Sequence, residues 1–293
     1  MDTNLKITEQ LVPNEDKFNN DFFKRFKLRH RDTPLQLNDT VAKNYRFPTF
    51  YGDASCAIAI FHCDYKAAKA MMPDPSMEPV KMTKGRSLVI FSCYEYRNVM
   101  NVAPYNEIAM TIPVMTDGGI NIPVLSMLLG DKQKKFGYYV FNMPVTSLEN
   151  RIRGRKIWGL PKDTECIDIE QDGQFSTIKA SIDGAEPYVE LKVPMTGSSQ
   201  NFDIKSNLFS VLDNSRLTSM TQFEGQFAIT KNMATLFKKS PTTSIGTLKI
   251  GQGPKADQLR ALKIEGQAFQ FRYSQSMNAC FDLAHKQVSV SSI

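Results

Sequence analysis

Lys162 is the residue whose surroundings most favour covalent chemistry. It follows Trp158, Leu160 and Pro161, so apolar side chains lead up to its amine. An amine held among apolar groups loses solvation of its charged form, so its pKa falls and more neutral nucleophile is present at pH 7. Such an amine can attack a carbonyl group and form an imine. The competing interpretation is a solvated lysine at a strand start, the usual environment of a lysine.

The residues before Lys162 predict a helix that ends just in front of it. The segment 146–149 (TSLE) has the spacing of a capping box, so a helix is expected to begin there and run to about residue 156. Gly159 then ends the helix, and a strand is expected over 164–169. Lys162 is therefore predicted to lie where a helix gives way to a strand.

Many short β-like segments follow one another from Tyr45 onward. The segments are rich in β-branched, aromatic and apolar residues, and turn signals such as Asp-Gly separate several of them; they are 55–61, 87–94, 107–114, 137–143, 175–182, 188–193, 222–230, 244–250 and 268–273. Period-2 alternation is seen over 175–182 and 188–193. A short helix capped by Asp64 is expected from Tyr65 to Met72. The pattern predicts a mainly β (α+β) fold, an antiparallel barrel-like sheet with short peripheral helices.

The composition is that of an ordinary globular protein. The 293 residues are 42% hydrophobic and carry a net charge of +6, without an apolar run of roughly 20 residues that would span a bilayer. The five cysteines are far apart and form no Cys-x-x-Cys pair, which fits neither a zinc site nor a disulfide scaffold. We expect no metal site. The polar N-terminal residues do not resemble a secretory signal, so a cytoplasmic location is expected.

Residues 1–45 are predicted to form an N-terminal extension or arm, and residues 46–293 the catalytic domain. The segment 22–31 interleaves basic residues with Phe22, Phe23 and Phe26, a combination that can bind nucleic acid or an anionic membrane. Acidic residues nearly balance the basic ones, however, so neither partner is favoured. We expect the arm to pack over the body or over a neighbouring subunit of a homo-oligomer.

Four segments, in order, resemble the acetoacetate decarboxylase family. The segment 154–162 (GRKIWGLPK) resembles the family's lysine motif, with the same spacing from Gly-Arg to Pro-Lys. The segment 105–114 (YNEIAMTIPV) resembles the family's Tyr-x-Glu and Ile-Pro-Val strand. Residues 64–75 resemble its short helix ended by prolines, and 270–283 its closing segment. The resemblance covers roughly residues 45 to 285.

This resemblance implies a lyase that acts on a small keto acid. Lys162 would form a Schiff base with a β-keto acid such as acetoacetate, which then loses carbon dioxide and is released as a ketone. Glu107 would be an acid of the pocket. The lysine itself supplies the electron sink, so the reaction needs no external cofactor.

The sequence also departs from the family pattern. Asp163 stands where the family has a second lysine, Ser92 stands where it has a second glutamate, and no arginine lies between Phe47 and Phe61, the family's early strand. Arg155 and Arg97 are candidates to bind a substrate carboxylate, because guanidinium pairs with carboxylate through two hydrogen bonds. Further candidates for the substrate pocket are Ser92 and Tyr94, with Tyr273 and Gln275 as weaker ones.

Two other functions remain open from the sequence. An aldolase or dehydratase acting on a 2-oxo acid would use the same imine, and the departures in polar residues support it. A barrel that binds a small ligand without turnover would result if Asp163 held the amine in its charged form.

Overall fold

The computed structural model describes residues 6–129, 135–240 and 247–289. The strands are β1 Arg29–His30, β2 Leu35–Gln36, β3 Ala42–Lys43, β4 Arg46–Phe47, β5 Thr49–Asp64, β6 Glu78–Pro79, β7 Arg86–Val99, β8 Tyr105–Met115, β9 Phe136–Val145, β10 Lys162–Thr164, β11 Cys166–Gln171, β12 Phe175–Ser181, β13 Val189–Pro194, β14 Ser198–Leu212, β15 Ser215–Lys231, β16 Leu248–Ile250, β17 Ala268–Phe281 and β18 His285–Ser289. The helices are α1 Asp21–Lys24, α2 Tyr65–Ala70, α3 Leu125–Leu128, α4 Leu148–Trp158 and α5 Pro254–Ala261, with 3₁₀ turns at Glu15–Lys17, Thr83–Gly85 and Met233–Leu236.

Seven long strands close into a barrel, which confirms the predicted fold class. Around the barrel the order is β9, β14, β15, β17, β5, β7 and β8, and β8 pairs again with β9. Successive side chains of a strand point to opposite faces. On β5, for example, Ile58 and Ile60 face the interior, whereas Ala57 and Ala59 belong to a second cluster outside it. The barrel therefore has two apolar faces to bury.

A second, four-stranded sheet covers part of the outer face. Strands β11, β12, β13 and β16 are antiparallel neighbours. Their apolar residues, such as Ile178 and Leu191, pack in one cluster with the outward-facing Phe61 and Phe91 of the barrel. This sheet leaves the barrel interior free to hold a cavity.

The single strand predicted over 164–169 is wrong, because the structure has two strands there, in different sheets. Lys162–Thr164 pairs in parallel with β9 of the barrel, whereas Cys166–Gln171 pairs with β12 of the outer sheet. The chain changes sheets at Glu165. Cys166 consequently lies on the outer sheet and is exposed, unlike the other four cysteines, which are buried.

The helix before Lys162 is present with a different cap. Ser147, not Thr146, is the N-cap and accepts a hydrogen bond from the Asn150 amide at 3.3 Å. The Thr146 hydroxyl is engaged elsewhere, accepting from the Asn106 amide at 3.0 Å. The helix continues to Trp158, and Gly159 ends it in the left-handed conformation with φ 58°, as expected for a C-terminal glycine.

Other local differences have similar causes. The helix after Asp64 is capped as predicted but ends at Ala70, two residues early. Strand β14 was not predicted, because its apolar residues alternate too weakly in sequence. Helix α5 was not predicted either. Residues 244–246 of the predicted segment 244–250 lie outside the described residues, and the strand β16 covers its end.

The described part of the N-terminal arm packs on the barrel of its own chain. Phe18, Phe22 and Phe23 are buried in a cluster with Phe50 of β5 and Cys280 of β17. The basic residues nearby are partly engaged, since Arg25 forms ion pairs with two acidic residues of the β14–β15 hairpin. The assembly of subunits stays a prediction. Among the described helices, none is both long and apolar enough to cross a membrane.

Candidate active site

A cavity of about 410 Å³ lies inside the barrel, and Lys162 and Glu107 are among its walls. Most of the lining is apolar or aromatic. The lining residues are Tyr51, Ile58, Ile60, Ile90, Ser92, Tyr94, Tyr96, Glu107, Ala109, Thr111, Met127, Phe136, Tyr138, Met143, Leu160, Lys162, Phe202, Ile204, Ser206, Leu208, Thr221, Phe223, Lys231, Met233, Phe269, Gln270, Arg272, Met277, Ala279, Cys280 and Phe281. Apolar walls with a few polar groups are typical of a small-molecule site.

Lys162 and Glu107 form a buried ion pair. They are 55 residues apart in sequence, but β8 pairs with β9, and β9 pairs with β10, so their strands share one edge of the barrel. The Lys162 Nζ donates to Glu107 Oε2 at 2.5 Å, and each residue is only 5% exposed. The structure thus brings together the two residues predicted to be catalytic.

The environment of the pair favours a neutral amine. Burial lowers the pKa of Lys162 from its ordinary value, the negative charge and hydrogen bond of Glu107 oppose this, and the positive charge of Arg153 adds to the lowering. A lowered pKa increases the share of unprotonated amine at neutral pH, the form that attacks a carbonyl.

Four tyrosines enclose the ion pair. Tyr96 donates to the second oxygen of Glu107 at 3.4 Å. Its ring stacks on Tyr94, with centroids 5.1 Å apart, and lies against Tyr51 and Tyr105. Burial raises the pKa of Tyr94, Tyr96 and Tyr105 well above the ordinary value, so their hydroxyl groups stay protonated and can donate hydrogen bonds.

Arg153 is a buried cation that the sequence reasoning missed. Its side chain is 1% exposed, and it donates to two neutral acceptors, Asn150 Oδ1 at 2.9 Å and Thr49 Oγ1 at 3.0 Å. Its guanidinium lies over the ring of Tyr45 at 4.3 Å. No carboxylate of the described residues forms an ion pair with it, so its charge remains available to act on Lys162. Its position in the helix before the lysine motif gave no signal of this role.

The first two residues of the lysine motif have distinct structural tasks. Gly154 faces the Lys162 side chain so closely that a Cβ atom there would lie 2.3 Å from Lys162 Cδ. Arg155 donates from Nε to the Lys162 carbonyl oxygen at 2.6 Å. Glycine therefore makes room for the lysine side chain, and arginine fixes the backbone that carries it. This explains why the spacing from Gly-Arg to Pro-Lys matters.

Asp163 does not contact the Lys162 amine. Its side chain lies on the opposite face of the strand, where it pairs with Arg155 and with Lys255, the latter at 2.9 Å. Its carboxylate is thus neutralised outside the barrel. Among the described residues, Glu107 is the carboxylate that forms an ion pair with the amine.

The predicted substrate-binding residues divide into two groups. Ser92 and Tyr94 line the cavity. Arg155 is held on the outer face by Asp163, and Arg97 pairs with Asp53 and Glu95, so neither lines the cavity. The two weaker candidates, Tyr273 and Gln275, do not line the cavity either. Tyr273 belongs to the outer cluster and donates to Gln275 Oε1 at 2.5 Å.

Arg272 is the arginine that does line the cavity. It lies on β17 with Ile58 of β5 as its Cα partner, so it comes from the strand beside the one where the family has its arginine. Its guanidinium donates to Gln270 Oε1 at 2.9 and 3.1 Å and lies 5.2 Å from the Phe202 ring. Among the described residues no carboxylate forms an ion pair with it. The sequence gave no signal, because only the pairing of β17 with β5 brings this residue to the site.

Comparison with known proteins identifies the family of the chain. The sequence model of the Acetoacetate decarboxylase (ADC) family matches residues 32–276, and the chain therefore belongs to this family. The barrel is similar to acetoacetate decarboxylase from Legionella pneumophila, with 12% identity and a TM-score of 0.62 over 98% of this chain and 100% of that one. No curated protein sequence matches the chain.

A second similar solved structure belongs to a biosynthetic enzyme. The enduracididine biosynthesis enzyme MppR, complexed with pyruvate, is 12% identical with a TM-score of 0.57 over 88% of this chain and 100% of that one. MppR is also solved with the condensation product of pyruvate and imidazole 4-carboxaldehyde. At this identity the likeness concerns the fold alone.

Proposed function

We propose that the protein is a lyase that decarboxylates a β-keto acid through an imine on Lys162. The observation that carries the proposal is the buried Lys162, whose amine lies 2.5 Å from Glu107 inside an apolar cavity. Membership of the acetoacetate decarboxylase family supports it. The lowered pKa of Lys162 supports it as well, because imine formation needs the neutral amine.

The reaction follows from these groups. The lone pair of the neutral amine attacks the keto carbon, and loss of water from the carbinolamine leaves a protonated imine. The bond to the carboxylate breaks, its electron pair moves into the imine to give an enamine, and carbon dioxide leaves. A proton then adds to the enamine carbon, and water releases the ketone and the amine. Glu107 receives and returns protons at the lysine nitrogen, while Tyr96 holds the other carboxylate oxygen.

The distribution of cations favours loss of the carboxylate. An enzyme that retains the carboxylate needs a firm cationic clamp beside the imine. The cations near the pair do not meet this need: Arg153 lies behind the cavity wall, and Arg272 is not among the charges that shift the pKa of Lys162. A carboxylate next to the imine would therefore be poorly neutralised, which promotes its departure.

A second candidate is an imine-dependent aldolase or dehydratase that acts on a 2-oxo acid. Arg272 supports this candidate, because it supplies a guanidinium to the cavity without a carboxylate partner among the described residues. The structural likeness to MppR, a pyruvate-binding protein, gives it further support.

The test traps the imine and identifies the bond that breaks. The protein is incubated with acetoacetate and borohydride, and the adduct is mapped by mass spectrometry; we expect it on Lys162 and expect none in Lys162→Met. In parallel, carbon dioxide is followed with acetoacetate, and new carbon–carbon bonds are followed with pyruvate plus an aldehyde. Labelling at another lysine, or condensation without carbon dioxide release, would contradict the proposal.

A further inference from the structure

The cavity is much larger than acetoacetate requires. Acetoacetate carries only a methyl group beyond its keto carbon, whereas the cavity of about 410 Å³ is within the range of roughly 300–1,000 Å³ that holds drug-sized ligands. On β9 the lining runs from Met143, the Cα partner of Lys162, to Phe136. These seven steps correspond to roughly 23 Å of strand. Most of this length lies beyond the reacting atoms.

The walls along this length are mainly apolar. Ile90 of β7 has Thr111 of β8 as its Cα partner, and Thr111 is four residues, or roughly 13 Å of strand, beyond Glu107. Ile60 of β5 pairs with Ile90 on the other side. All three residues line the cavity, as do Phe136 and Phe202. A chain that extends from Lys162 toward this end meets mostly hydrocarbon, with Thr111 and Gln270, the Cα partner of Ile60, as polar groups among it.

The apolar lining continues to the protein surface. Met127 of α3 and Met233 line the cavity, and Met233 is 51% exposed. The segments that carry Met127 and Met233 both contact the loop at residues 81–83. The Val124 amide donates to the Lys81 carbonyl, and the Thr83 hydroxyl donates to the Leu236 carbonyl. Exposed apolar residues flank them, namely Leu125, Leu129 and Phe237. An apolar path thus joins the surface to the ion pair.

Cations accompany the apolar path. Arg272 and the exposed Lys231 line the cavity, and Lys231 is the Cα partner of Gln270 on the neighbouring strand. Their charge attracts an anion toward the cavity. Because Gln270 is also the Cα partner of Ile60, these cations flank the apolar path rather than the imine. They would attract an acidic molecule as it approaches, whereas the apolar walls suit its chain.

We propose that the preferred substrate is a β-keto acid with an unbranched apolar tail of several carbons, which lies along Ile90 and Ile60 toward Met233. This inference rests on the proposed function, because it places the keto carbon at Lys162. Each methylene that moves from water to these walls is expected to raise kcat/KM about fourfold until the tail reaches the cavity end.

The test compares β-keto acids with methyl, propyl, pentyl and heptyl tails on the intact protein. We expect kcat/KM to rise about fourfold for each added methylene. In the variant Ile90→Trp, the larger ring occupies the path of the tail, so the ratio of kcat/KM for the pentyl and heptyl compounds to that for the methyl compound should fall toward one. Thermal unfolding of the variant checks that it folds. Met233→Trp, at the exposed rim, gives a second obstruction that does not disturb the core, and should reduce the heptyl compound most.

The outcomes separate this inference from the proposed function. Borohydride labelling of Lys162 with acetoacetate, together with equal or falling kcat/KM along the series, would overturn the apolar-tail substrate and leave the imine intact. An equal loss for all tails in both variants would also overturn it. Failure to label Lys162 with any of the four acids would instead overturn the proposed function.

Discussion

Replacing Gly154 with alanine should disable Lys162 without removing any functional group. Gly154 lies in the middle of helix α4, where its missing side chain leaves the space that the lysine occupies. An added Cβ would lie 2.3 Å from Lys162 Cδ, 2.8 Å from Cε and 2.9 Å from Cγ. Carbon atoms in contact prefer about 3.5–4.0 Å. The lysine chain must therefore move by more than about 1 Å at Cδ.

The expected losses of rate and of folding stability show whether Gly154→Ala misplaces the amine or unfolds the protein. A misplacement of about 1 Å can cost roughly 100-fold in rate, equivalent to about 2.7 kcal/mol. Alanine is favoured over glycine in a helix by about 1 kcal/mol, and crowding a packed site costs about 1–3 kcal/mol. The net change in stability is thus at most about 2 kcal/mol, within the 5–15 kcal/mol typical of a folded domain. We expect a folded protein that forms the imine about 100-fold more slowly.

The assay measures the rate of borohydride-trapped adduct on Lys162 with acetoacetate, alongside thermal unfolding. Arg151→Ala is the matched control, because it shortens a partly exposed side chain of the same helix. The control should retain the parent rate. If Gly154→Ala traps the imine within about threefold of the parent, the close approach of glycine and lysine is not what positions the amine.

The charged groups around the amine give two further predictions. Lys162→Met leaves Glu107 buried without its partner and should cost about 3–5 kcal/mol in urea unfolding at pH 7, while Lys162→Met/Glu107→Gln should recover most of the loss; equal stability of the two variants would contradict a coupled pair. The pKa of Lys162 is lowered in the folded protein, so the unfolded state binds more protons between that pKa and 10.5. The free energy of unfolding of the parent should therefore rise with pH across this window, and Lys162→Met should lack this rise. Arg153→Met removes a cation that lowers the pKa of Lys162, so the pH at which imine trapping reaches half its maximum should increase, whereas Arg153→Lys should retain the parent profile. An unchanged profile in Arg153→Met would mean that burial alone lowers this pKa.

Lys162 and Glu107 could be singled out from sequence because both lie in segments that resemble motifs of the acetoacetate decarboxylase family. Lys162 also follows an apolar segment after a helix stop, whereas Glu107, near the start of the mostly apolar strand β8, depended on the resemblance alone. The barrel was accessible for a similar reason, since strand alternation and turn residues are encoded within a few residues of each other. The N-terminal phenylalanines also indicated a segment that needs cover, and they are buried.

The remaining parts of the site depend on pairing between distant strands. Arg272 reaches the cavity because β17 lies beside β5, and no spacing near residue 272 encodes that neighbour. The outward position of Arg155 depends on Asp163 and Lys255, which meet only after the outer sheet has formed. Even the cap at Ser147 depended on a distant residue, because the Asn106 amide occupies Thr146.

Strand β9 changes partners along its length, and this affects how the site is assembled. Tyr138 and Tyr139 pair with β14, whereas Met143 to Val145 pair with Lys162–Thr164. The segment that carries Lys162 thus fills the place of a barrel strand beside this end of β9, and its backbone satisfies hydrogen-bonding groups that would otherwise form an open edge. The backbone hydrogen bonds that cover this edge therefore also fix the position of Lys162 at the cavity wall.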